Sequence, residues 1–283
     1  MKSLLLFIGC LLLSLQVSAG ETVQENPSGS CGENCKWEIN LTTQELSIGL
    51  ADSGVTTGSI QDYPRTWRDG DTTTTAPWRD YINNVKSLTI NEGITSIGAW
   101  AFEDMNIKTA QLPGTLTTIK DGAFHSCNLN SLDIPDSVTS IGAWAISHTK
   151  IKELILPENL ETIGGYAFGG NNKLTDKVVI VPESVTQLPE SAFYSEYGQT
   201  EVTQIICSSN LMEKCKKAAA KTGASVMEYT KMPNGRFQVG NNLYLSLSDM
   251  QIGHVFTPKR IYTVQEAERA SKKTGNRVII RYR

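Results

Sequence analysis

Apolar and polar positions through the middle of this chain recur at a constant interval of 22 residues. The blocks LTINEGITSIGAWAF, AQLPGTLTTIKDGAF, LDIPDSVTSIGAWAI and LILPENLETIGGYAF begin at Leu88, Ala110, Leu132 and Leu154. Three apolar columns run through them in register: Ile90, Leu112, Ile134, Leu156; Ile97, Ile119, Ile141, Ile163; and Phe102, Phe124, Ile146, Phe168. One such block cannot bury its own apolar side, so the pattern predicts a solenoid whose stacked coils share a core. Within each coil the sequence predicts a short strand, a tight turn, a second short strand and about one helical turn. Pro113, Pro135 and Pro157 end the first strand, and Gly98, Gly142 and Gly164 are read as bends after the second.

The flanks differ from the repeats. Trp37, Ile39 and Leu41, then Leu46, Ile48 and Leu50, alternate with polar residues around a TTQE turn, which predicts a hairpin. Gly54 to Ala76 reads as a long surface loop, and Trp78, Tyr81, Ile82 and Val85 as a cover for the first coil. A fifth coil ends at Phe193, 25 residues after Phe168, with three residues inserted near Asn171–Lys177. Val202, Ile205 and Ile206 start a sixth that leaves the phase. SSNLMEKCKKAAAKTG is expected to form a closing helix, with Ser209 or Asn210 as N-cap and Gly223 past its end. Beyond it, Arg236–Val239 and Leu243–Leu247 read as strands, Thr263–Glu266 as a capping box opening a helix that closes at Gly275, and RVIIRYR as a terminal strand. The expected class is α+β, dominated by β. Its parts are a signal segment (1–20), an N-terminal β cap and loop (21–83), repeats (84–207), a helical cap (208–229) and a small basic α/β module (230–283).

Residues 1–20 combine Lys2, an apolar run from Leu4 to Leu15 and the small residues Ser18 and Ala19, as in an export signal. No second run is long enough to span a bilayer, so no transmembrane segment is expected. Export implies oxidising surroundings for Cys31, Cys35, Cys127, Cys207 and Cys215. Bridges Cys31–Cys35 and Cys207–Cys215 are expected, with Cys127 a buried packing residue in the column Met105, Cys127, Thr149, Asn171. The net charge of −3 divides unevenly: residues 21–229 carry 15 Lys+Arg against 26 Asp+Glu, and residues 230–283 carry 10 against 3. A basic end on an acidic rod implies attachment to an anionic surface polymer, or packing of the end on the rod. Aromatic interleaving is too thin for a nucleic-acid groove.

The repeat unit is similar to L-x-x-I-x-L-P-x-x-V-x-x-I-G-x-x-A-F, and residues 84–207 resemble the BspA-like (Treponema-type) leucine-rich repeat proteins. CGENCKWEI and APWRDY are similar to the N-terminal cap of that group. Lys120, Ile146 and Pro189 depart from the pattern locally. The resemblance implies a curved leucine-rich-repeat solenoid, strands lining one face, and an exported or surface protein, with adhesion to matrix proteins or cells known in the group.

No metal-ligand set, cofactor fingerprint or catalytic motif is present, so neither an enzyme nor a cofactor is expected. His125 and His148 read as solvated loop residues. Trp100, Trp144 and Tyr166 share one column, with Gly122 in the second coil and Ser191 in the fifth. The plainer reading is rings covering gaps between coils; the functional one is a ladder gripping a sugar ring or a partner's side chain. Lys86, Lys108 and Lys152, with Lys177, line the strand face, either solvated or binding. The expected function is recognition of an extracellular protein or glycan. The alternative is a structural envelope protein, with the repeats as spacer and the basic module as anchor.

Overall fold

The computed structural model describes residues 25–65, 75–175, 177–196, 202–233, 237–239 and 242–244. The expected signal segment, the helix at 263–275 and RVIIRYR lie outside them.

The chain begins as a three-stranded antiparallel cap: β1 (Ser28–Gly32), β2 (Cys35–Asn40) and β3 (Glu45–Leu50). At the β2–β3 turn, Asn40 Oδ1 accepts from the N–H groups of Thr42 and Thr43, both at 3.0 Å. Trp37, Ile39, Leu46 and Ile48 point inward, as their alternation requires. A disulfide joins Cys31 to Cys35, with Cα atoms 5.1 Å apart. Trp78 and Val85 are fully buried beneath the first coil, and the Trp78 ring stacks on Phe102 at 5.3 Å. Part of the predicted loop pairs as a strand. β4 (Gly58–Ser59) pairs with the first coil, and Ile60 and Tyr63 are buried. Two isolated apolar residues in a polar run were too weak a signal for a strand.

Two ladders of parallel strands run up the coils. β5 (Ser87–Ile90) pairs with β3 and with β7 (Thr109–Gln111). On the other side, β6 (Ile94–Ile97), β8 (Thr118–Ile119), β9 (Ser140–Ile141) and β10 (Thr162–Ile163) follow β4. Their register places Ile97, Ile119, Ile141 and Ile163 opposite one another, and all four are fully buried. Phe102, Phe124, Ile146 and Phe168 form a second buried column, so Ile146 keeps the core apolar where the ring is lost. The expected first strand is missing from the third and fourth coils. There, Asn130 N–H to Lys108 C=O (3.0 Å) and Lys152 N–H to Asn130 C=O (3.3 Å) hold the coils at one point. Asp133, a poor strand former, and Pro135 and Pro157, which have no N–H, weaken pairing there.

The third side is not the helical turn expected from sequence. Trp100, Gly122, Trp144 and Tyr166 have φ of 56–60°, and so, four residues on, do Asp104, Ser126, His148 and Gly170 at 54–74°. Local and inter-coil bonds alternate here. Ala101, Glu103 and Met105 donate three residues back, while Trp100, Phe102 and Asp104 donate to Asp121, Ala123 and His125 of the next coil, each at 2.9 Å. A left-handed residue costs about 1–2 kcal/mol outside glycine; the inter-coil bonds it aims offset that cost.

The glycine column serves clearance rather than bending. A Cβ on Gly98 would lie 1.8 Å from Gln61 O, on Gly142 2.4 Å from Asp121 Oδ1, and on Gly164 2.2 Å from Ala143 N.

Past the insertion, β11 (Val178–Val181), β12 (Gln204–Ser208) and β13 (Ser225–Lys231) are parallel. The helix α1 (Met212–Thr222) lies between β12 and β13 in sequence and contributes Cys215, Ala218 and Ala219 to the solenoid core. A 3₁₀ turn at Ser209–Leu211 precedes it and starts after Ser208, one residue earlier than expected. Gly223 closes the helix with φ 78°. Cys207 and Cys215 are bonded, tying α1 to β12. β14 (Phe237–Val239) and β15 (Asn242–Tyr244) add antiparallel strands to β13. The strands expected of a separate module therefore extend the last sheet of the solenoid, and β13 spans the boundary drawn at residue 230.

Substituting Gly142→Ala is expected to lower the urea midpoint by the equivalent of about 1–3 kcal/mol, the scale of overpacking. An unchanged midpoint would show that the coils do not approach as closely as described.

Candidate functional site

The left-handed residues aim their side chains along the solenoid, one coil toward the next. A Cβ on Gly122 would fall 2.0 Å from Trp100 Cε3, so the Trp100 ring lies over that glycine and fills the space beside it. His148 covers Gly170 in the same way, with its Nδ1 2.4 Å from the Cβ position. Trp144 stacks on Tyr166, centroids 4.4 Å apart and planes 13° from parallel. His125 meets both Trp100 and Trp144 edge-to-face at 5.9 Å, and Tyr194 follows Tyr166 at 6.2 Å. Cations close both ends: Arg65 stands 4.5 Å from the Trp100 centroid and Lys221 5.1 Å from that of Tyr194. Arg65 comes from the N-terminal cap and Lys221 from α1. The result is one stack from cap to cap, in the order Arg65, Trp100, His125, Trp144, Tyr166, Tyr194, Lys221.

Structure thus brings Trp144 and Tyr166 into direct contact and links Trp100 to them through His125. His125 is buried and His148 half-buried; neither is the solvated loop residue expected. The signal for His125 was its column, since Glu103, His125 and Ser147 occupy one coil position. Tyr194 continues that column, 25 residues after Gly169 across the insertion, whereas Arg65 lay outside any column and could not be found by period.

Glu103, His125 and Ser147 have the composition of a hydrolytic set, but their bonding is structural. Ser147 is fully buried, and its Oγ donates to Trp144 C=O at 2.9 Å. Its single proton being used, the 2.7 Å contact with His125 Nδ1 makes the imidazole the donor. A histidine donating to the serine is not its base. Glu103, also buried, faces Arg65 Nε at 3.5 Å. Cys127 is a free thiol, buried, with Sγ donating to Phe102 C=O at 2.8 Å. Asn171 makes the equivalent bond from the same column, to Ile146 C=O at 2.8 Å. Burial pushes the Cys127 thiol far up, away from reactivity.

The lysines of the strand face stand in one backbone column, with Lys108 N–H donating to Lys86 C=O at 2.8 Å. Lys86 Nζ reaches Asn83 C=O, and Lys108 and Lys152 are exposed. Asn130 separates them, so they form no continuous cationic row. Two grooves lie on this face. One of about 490 Å³ is lined by Ser28, Lys36, Glu38, Ser47, Gly49 and Asn91; another of about 120 Å³, where strand pairing lapses, lies between Ser131–Ile134 and Glu153–Ile155.

Burial, then the neighbouring His148 and Arg65, lowers His125 to about 4, and burial lowers His148. Both are neutral at pH 7. The unfolded chain, with ordinary histidines near 6.5, binds more protons between those values, so stability falls on acidification from about pH 6.5 towards 4. For His125 the loss is on the order of 3 kcal/mol. Urea midpoints at pH 7 and pH 4.5 check this: His125→Gln is expected to flatten the dependence, and an identical slope in the variant would contradict it.

The BspA type leucine rich repeat region matches residues 80–200 in 6 copies. No curated protein matches the chain. Among solved structures, a leucine-rich repeat protein from Eubacterium ventriosum is similar at 22% identity and TM-score 0.53, over 77% of this chain and 49% of that one. This chain thus spans about half the length of that protein, and the likeness is one of fold. Leucine-rich repeat proteins from Bacteroides ovatus (16% identity, TM-score 0.32, covering 69% and 66%) and T. pallidum (16%, 0.30, 60% and 67%) are also similar. The recurring columns, the stacked coils and the match over residues 80–200 agree: this segment is built of BspA-type leucine-rich repeats.

Proposed function

We propose that this is an exported or surface-associated recognition protein that binds an extracellular protein or glycan through its repeats, in the manner of an adhesin. The observation that carries the reading is the stack from Arg65 to Lys221. It gathers half-exposed Trp and Tyr side chains, joined through the buried His125, into one row spanning the coils. Trp, Tyr and Arg concentrate binding energy at interfaces, because they bring large area at little entropic cost. Trp100 lies between Arg65 and Gly122, and Trp144 and Tyr166 each cover one face of the other, so a partner meets mostly ring edges. An edge-on row favours the side chains of a protein over a sugar, which stacks on a ring face. Among the described residues no helix is long and apolar enough to cross a membrane.

The alternative, a spacer anchored by its basic end, draws support from the charge division between residues 21–229 and 230–283. Because the last sheet continues through Tyr244, the two readings are better separated by neutralising Lys272, Lys273 and Arg277 than by truncating at residue 230.

Pull-down from matrix and cell-surface extracts supplies the test. Trp144→Ala is expected to weaken capture of a specific partner by roughly 30-fold, a hot-spot loss, with the charge-neutralised variant unaffected. Equal capture by Trp144→Ala would reduce the stack to a cover between coils. Loss confined to Lys108→Glu would move the contact to the strand face, and loss confined to the neutralised variant would favour the anchor.

A further inference from the structure

The last sheet, β11-β12-β13-β14-β15, carries apolar residues on both faces. Val179, Val181, Ile205 and Cys207 belong to the solenoid core. The alternate residues of the same strands form a second cluster: Ile180, Ile206, Tyr229, Phe237 and Val239, with Val178 packed against it. Register makes this one surface, since Ile180 pairs with Ile206, Tyr229 with Val239, and Tyr229 and Phe237 meet edge-to-face at 5.6 Å. These residues retain little exposure: 2% for Ile180, 0% for Ile206 and Tyr229, 6% for Phe237 and 1% for Val239. Side chains standing side by side on one sheet cover each other's flanks and leave their tips to water; burial this complete needs a second layer. Among the described residues every member of the cluster is a sheet residue. The helix α1 is on the opposite face, through Cys215, Ala218 and Ala219.

We propose that residues 245–283 of this same chain form that second layer, docked on the outer face of the last sheet. The chain leaves β15 at Tyr244, on the edge of that sheet, so the segment starts beside the surface it covers. Its 39 residues are ample to cross five strands about 4.8 Å apart. It supplies apolar residues for one face, including Ile252, Val255, Phe256, Val264, Val278 and Ile280. Its charge is complementary: 8 Lys+Arg against 3 Asp+Glu, facing a rod with an excess of carboxylates. The basic end is then part of the fold, its apolar side turned inward and its cations at the margin.

Hydrogen exchange on the full chain tests this. In the wild type, amides within 245–283 are expected to exchange about 100-fold or more slowly than unstructured peptide. Phe237→Asp, at the rim of the cluster, is expected to remove most of that protection while amides of residues 88–193 keep theirs. Ile180→Ala, a milder change that leaves the sheet paired, should remove part of it. Unprotected amides throughout 245–283 in the wild type would overturn the proposal, as would protection unchanged in both variants. A dimer that forms with 245–283 unprotected would also overturn it and assign the cover to a second copy. None of these readouts depends on a binding partner, so failure of the recognition reading leaves them intact.

Discussion

Backbone pairing from one coil to the next is the constraint on which the rest of this molecule depends. Each coil presents a parallel ladder at Ile97, Ile119, Ile141 and Ile163, and a second row of bonds through the left-handed turns. In the turns, every second donor is satisfied by a residue of the adjacent coil. A coil alone would leave those groups and its apolar side facing water, so order is gained only by stacking. Three further features follow. The glycines at 98, 142 and 164 allow backbones to approach to pairing distance. Covers are needed where the series stops. Side chains at equivalent positions fall into files, so chemistry on this surface is a property of columns rather than of single residues.

The aromatic stack is one such file, and its composition follows from backbone geometry. Where the chain turns through positive φ, the side chain leans toward the next coil, and what it finds there decides the contact. Trp100 and His148 find glycine and lie on it, whereas Trp144 finds Tyr166 and stacks. His125 enters from the adjacent column and is held as a donor by Ser147. Burial withdraws reactivity from Ser147 and Cys127.

Much of this was legible from residue order, for a physical reason. A period of 22 residues repeats each requirement several times, so the core columns could be read directly; the disulfides came from export and short cysteine spacing, and the cover by Trp78 from the need to close the first coil. What was missed depends on single occurrences or on backbone angles. β4 offers two residues, Ile60 and Tyr63 stand alone, and Arg65 reaches Trp100 from a segment with no repeat. The turns read as helical because small and apolar residues near A-W-A-F have helical spacing, and positive φ is ordinarily the province of glycine. Here Trp and Tyr adopt it because inter-coil bonds fix the backbone first. The strands at Phe237–Val239 and Asn242–Tyr244 were expected, but not that they extend the solenoid's own sheet. Alternation identifies a strand without naming its neighbour.

The left-handed column also governs how such a chain can change in length. Losing one whole coil would carry Trp100 from Gly122 to Trp144 and leave every ladder aligned. Losing any other number from within a coil would rotate all later files out of place. The three additional residues before the fifth coil sit at the corner between Asn171 and Lys177, and Thr175 N–H still bonds Lys152 C=O at 2.8 Å across it. Size in this architecture is therefore quantised, with growth or shrinkage by complete turns and small insertions admitted only at corners.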